Sequence, residues 1–126
     1  MNKIYIEASV GEIIDKITIL EIKRKKVLNK SDLAEINKEY AALKDSLRKN
    51  VKIDIKLKKL WKDLKEINLK IWKMEDHKRL TQKHLENLTE IAKNVYEYND
   101  QRAQIKLKIN KLSGSNLREV KKYAKY

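Results

Sequence analysis

The sequence has no cysteine, no proline and no phenylalanine, and only two glycines, Gly11 and Gly114. Without cysteine there is no disulfide frame and no thiolate metal site, which fits a reducing, cytoplasmic setting. With no proline and two glycines in 126 residues, the chain lacks the turn formers that hairpins and β-sandwiches need at short intervals. Its apolar runs are a few residues long, so no segment is expected to enter a membrane. Residues 1–15 also lack the apolar core of a signal peptide. There is no Gly-rich phosphate loop, no nucleophile elbow and no His-Glu-x-x-His helix. The only histidines, His77 and His84, stand seven apart across a polar break, which is not the spacing of a metal pair. No catalytic residue can be named, and no metal or cofactor is implied.

Lys, Leu, Ile, Glu and Asn are abundant, a composition that favours long helices. The 39% of charged residues would suit a disordered chain, but the 41% of hydrophobic residues recur with strong periodicity, which favours a packed core. The formal net charge is +13. Such an excess points either to a polyanionic partner such as nucleic acid or to unselected background. Its even spread, 16 basic and 10 acidic side chains in residues 1–63 against 15 and 8 in residues 64–126, argues against a dedicated basic arm.

The pattern predicts an all-α antiparallel bundle of three to four long helices in a single domain over residues 1–126. Residues 1–8 read as a short extended segment, from the alternation at Ile4 and Ile6, and residues 116–126 as a loosely held tail. Ser9 and Glu12 fit a capping box that opens the first helix. Val10, Ile13, Ile14, Ile17, Leu20, Val27 and Leu28 give that helix one apolar stripe and Ile19 and Ile22 a second, as expected of a helix packed between neighbours. Glu12 with Lys16 and Glu21 with Lys25 are spaced for pairing within the helix. Ser31 or Asp32 is expected to cap a second helix, whose seam is Leu33, Ile36, Tyr40, Leu43 and Leu47. Asp54 is expected to cap a third, with a seam from Ile53 to Met74 and a flanking row of Trp61, Asn68, Trp72 and Glu75. A fourth, with Thr81 as a candidate start, carries Leu88, Ile91, Val95, Tyr98, Ile105, Ile109 and Leu112, and ends at Ser113-Gly114-Ser115. The heptad spacing also allows self-association, or a protein partner, through a coiled coil.

Polar residues stand where the stripes lead one to expect apolar ones. Asn99, Arg102, Lys106 and Asn110 lie along one strip of the fourth helix; Trp72, Glu75, Asp76 and Arg79 lie near the end of the third; Asp15, Lys16, Glu21 and Lys23 lie on the first. Brought together, these strips would put charges partly out of water, where each must be paired or hydrogen-bonded. Two readings follow. Either the carboxylates neutralise the cations in an internal network that fixes register, or Arg and Lys line an opening for a small anionic ligand, a sugar phosphate or a carboxylate.

The runs GEIIDKITILEIK (11–23), IWKMED (71–76) and VYEYNDQRAQIKLKIN followed by KLSGS (95–115) resemble a family of small bacterial and phage proteins known only as a domain of unknown function. The sequence departs from that family where LTQKHLENL stands in place of a Phe-Asp pair opening the last helix. The resemblance implies that the signature falls on Asp15, Lys16, Glu21, Lys23, Trp72, Glu75, Asp76, Asn99, Asp100, Arg102, Lys106 and Asn110. The expected function is therefore that of a small helical binding or accessory protein with a polar seam. The alternatives are a basic nucleic-acid-associated protein and a structural coiled-coil module.

Overall fold

The structure, a computed structural model, describes residues 2–80 and 88–117. It is an all-α bundle of four helices: α1, Val10–Lys26; α2, Lys30–Asn50; α3, Ile55–Leu80; and α4, Leu88–Ser113. Among the described residues there is no strand. Residues 2–9 have no regular secondary structure, and Ile4, Tyr5 and Ile6 are 83–89% exposed. The proposed start of the last helix at Thr81 and the tail beyond Leu117 lie outside the described residues.

Local chemistry sets the helix ends. Ser9 is the N-cap of α1, its Oγ accepting the Glu12 N–H at 3.2 Å. The reciprocal half of the capping box is not made, because the Glu12 carboxylate is held by Lys106 of α4. Asn29 caps α2 by accepting the N–H groups of Ser31 and Asp32, so the cap falls earlier than Ser31 or Asp32. An amide oxygen in the three-residue connector reaches both donors, a role the sequence left to the hydroxyl or carboxylate that follows. Asp54 caps α3 through the Leu57 N–H at 2.9 Å. After α4, Gly114 takes φ 66°, the left-handed conformation glycine adopts without a Cβ penalty, and the Ser115 N–H returns to the Asn110 carbonyl.

Packing centres on α1, which touches α2, α3 and α4; the remaining helix–helix contact is α3 with α4. This accounts for the two apolar faces. Ile14, Ile17, Leu20 and Ile22 are all buried, and α1 also buries Gly11, Asp15 and Thr18. The core joins Ile14 and Ile17 to Leu47, Leu57, Leu64, Ile67 and Ile109. Leu28, expected on the first stripe, is 92% exposed, because α1 ends at Lys26 and the chain turns away before it. Leu112 is also exposed, one residue from the end of α4.

The outer helix is α2. Its backbone closely approaches α1 alone, and it buries a single residue, Leu47. Leu33, Ile36, Tyr40 and Leu43 of its seam are only half-buried, since no second helix covers them. The α4 strip runs opposite to α1, with Gly11 beside Asn110 and Glu12 beside Lys106. Among the described residues no helix is long and apolar enough to cross a membrane.

Candidate functional site

The seam forms where α1, α3 and α4 meet, and it has two parts. The inner part starts at Gly11. Its N–H donates to Asn110 Oδ1 at 2.7 Å, and Asn110 is 2% exposed. A Cβ on Gly11 would stand 2.6 Å from the Lys106 carbonyl oxygen and 2.9 Å from Asn110 Oδ1. The glycine therefore sets how closely α1 approaches α4. Lys106, 7% exposed, places its ammonium 2.7 Å from Glu12 Oε2 and 3.8 Å from Asp15 Oδ2. The buried cation is thus neutralised by two carboxylates of α1, as desolvation demands.

Asn68 of α3 links the inner part to the outer. Its amide donates to Asp15 Oδ1 at 2.7 Å and to Thr18 Oγ1 at 2.8 Å. Its own carbonyl oxygen accepts from Arg102 Nη1 at 3.2 Å, and Asn99 Oδ1 accepts from Arg102 Nη2 at 2.6 Å. Among the described residues, no buried side-chain polar atom lacks a partner.

Beyond Asn68 the seam opens. Arg102 borders a cavity of about 170 Å³ together with Ile19, Ile71, Trp72, Glu75, Asp76 and Arg79. Two neutral amides orient the guanidinium, and it forms no ion pair with a carboxylate among the described residues. Asp76 is paired with Arg79 at 3.2 Å on the outer wall. The cavity thus combines an oriented planar cation, an indole wall and two carboxylates. That set can hold an anionic group on the guanidinium and hydroxyls on the carboxylates.

The other sequence-derived candidates are divided by the fold. Trp72, Glu75 and Asp76 share the cavity with Arg102, while Asn99 supports it and Lys106 and Asn110 lie in the closed inner part. Glu21 faces elsewhere: it accepts Trp61 Nε1–H at 2.9 Å and pairs with Lys65 at 2.8 Å. Lys16 is exposed and Lys23 half-buried, and neither bonds to the seam. Glu12, Thr18 and Asn68 are seam members that site selection by sequence passed over. Asn68 carried a signal, since it lies between Trp61 and Trp72 in the row that flanks the α3 seam; Glu12 was masked by its capping position. Away from the seam, hydrogen bonds from Lys49 and then Arg48 hold the Asp45 carboxyl below its ordinary value. Among the described residues no group of three His, Cys, Asp or Glu side chains is placed to hold a metal ion.

The chain belongs to a family of unknown function, DUF6165, whose model matches residues 4–125. This agrees with the expected membership of a family known only as a domain of unknown function. No curated protein and no solved structure matches the chain.

Proposed function

We propose that the protein is a small cytoplasmic binding or accessory protein whose seam takes a small anionic ligand, a sugar phosphate or a hydroxylated carboxylate, on Arg102. The observation that carries this reading is the state of the guanidinium. It is half-buried, oriented by two amide oxygens and open to a cavity, yet it has no carboxylate partner among the described residues. Lys106, a few residues along the same strip, has two carboxylates beside it. A cation held without a counter-charge at a cavity is arranged to receive one. Trp72 offers an apolar face for a sugar ring or carbon chain, and Glu75 offers an acceptor for hydroxyl groups. At about 170 Å³ the cavity is below the ~300–1,000 Å³ of drug-sized sites, so it suits a single small anion or the charged head of a larger molecule.

The test is thermal stabilisation by a panel of hexose phosphates and small hydroxy acids. A ligand present at about 100 times its Kd should stabilise the fold by about 2.7 kcal/mol. Arg102→Leu should abolish that stabilisation while the protein stays folded, and Arg102→Lys should retain only part of it, because the planar fork is lost. If Arg102→Leu unfolds the protein, or if no member of the panel stabilises the wild type, the arginine is a structural link between Asn68 and Asn99.

A further inference from the structure

A second, larger opening lies on the opposite side of α1, where the α2 and α3 backbones leave their connector at Val51–Asp54 without closely approaching each other. Two cavities of about 750 and 410 Å³ share Glu21 and Tyr40 and so form one groove, with α1 as its floor and α2 and α3 as its walls. Seven Lys and Arg side chains line it against one carboxylate, Glu21, which is already bonded to Lys65 and Trp61. The outer cavity at Arg102, by contrast, is lined by two cations and two carboxylates. The groove therefore holds an excess of cations that the Arg102 cavity lacks. Lys44 and Arg48 on α2 stand across from Lys58 on α3, with Lys52 at the connector. These like charges face one another over the gap, and a multiply charged anion between them would relieve their repulsion.

The groove also holds the aromatic side chains Tyr40 and Trp61. The Lys44 ammonium lies 5.4 Å from the Tyr40 ring centroid and 5.7 Å from that of Trp61, and the Arg24 guanidinium lies 4.4 Å from that of Tyr40. These rings are half-buried and held by cations on long side chains, which can turn from ring to phosphate while a flat ring takes their place.

We propose that this groove binds single-stranded nucleic acid, with Lys44, Lys52 and Lys58 on the phosphates and Tyr40 and Trp61 against bases. Length favours a strand over a mononucleotide. From Leu33 to Val51 the α2 wall rises about 27 Å, room for roughly four to eight nucleotides. Shape favours one strand over a duplex. The cations and rings lie in a cleft between helices, whereas a duplex is gripped by an element projecting into its groove. Arg48 contributes less, because it is paired with Asp45 at 3.0 Å.

Fluorescence anisotropy with a labelled oligothymidine, titrated against salt, tests the assignment on the intact protein. Neutralising the three lysines (Lys44→Gln, Lys52→Gln and Lys58→Gln together) should weaken binding at least tenfold and flatten the slope of log K against log salt by about 2, at ~0.7 per phosphate contact. Neutralising the exposed α4 lysines Lys108 and Lys111 should change neither by a comparable amount. Tyr40→Leu, which spares the indole bond to Glu21, should weaken binding with the slope unchanged; no effect would remove the stacking role and with it the proposal. Several other results would also overturn it: no binding at low salt, equal losses from the groove and α4 variants, tighter binding of a duplex of the same length, or a nucleoside triphosphate competing as well as the oligomer. Arg102→Leu should leave oligomer binding intact, so this groove and the Arg102 cavity stand or fall separately.

Discussion

At the scale of single residues, the seam rewards the smallest side chain and depends on amides. Gly11 stands where a Cβ would collide with a backbone carbonyl, which cannot swing aside as a flexible side chain can. Gly11→Ala should therefore force α1 and α4 apart and strain the Asn110 bond, costing about 1–3 kcal/mol despite the better helix propensity of alanine. Urea unfolding measures this, and a variant as stable as the wild type would show that the helices separate at no cost. The sequence marked Gly11 as one of two glycines and the start of the GEIIDKITILEIK run, and Asn110 as a polar candidate in an apolar strip. That the two meet was not legible, because they are 99 residues apart and their contact depends on how α1 and α4 cross.

At the scale of elements, the difference between α1 and α2 follows from how many neighbours each has. The α1 pattern, apolar on two faces, was legible as a sandwiched helix, and three helices do pack on it. The α2 pattern, a single heptad seam, reads equally well as a bundle helix or a coiled coil. In the structure it is a helix with one neighbour and one buried residue. Opening such a helix exposes little apolar surface, so it should separate before the core does. Native-state hydrogen exchange should show α2 amides less protected than those in the middle of α1, with exchange from α2 responding weakly to urea. Equal protection in both helices would make the four helices one cooperative unit. The intrahelical pairs Glu12–Lys16 and Glu21–Lys25 show the limit of element-level rules. Each is worth about 0.2–0.5 kcal/mol when exposed, and both glutamates instead serve partners on other helices, Lys106 for Glu12 and Lys65 with Trp61 for Glu21.

At the scale of the whole molecule, a net charge of +13 on 126 residues works against compactness. The i,i+3 and i,i+4 ion pairs of Asp45 and Asp76 are exposed and return little. Raising salt from about 10 to 150 mM, which shortens the screening length from about 30 to 8 Å, should therefore raise Tm. Differential scanning calorimetry in sodium chloride checks this; a fall would mean that ion pairs outweigh the repulsion. The sequence by itself determined the helical class, the cap at Ser9, the stop at Gly114 and the polar strips, because propensity, capping and periodicity act over spacings of a few residues. Only the tertiary structure decided that Lys106 is neutralised while Arg102 faces a cavity, and that Lys44, Arg48, Lys52 and Lys58 line the α2–α3 gap. Burial and charge pairing depend on which helices cross and at what register, and that is set by the packing of all four helices together rather than by the spacing within any one.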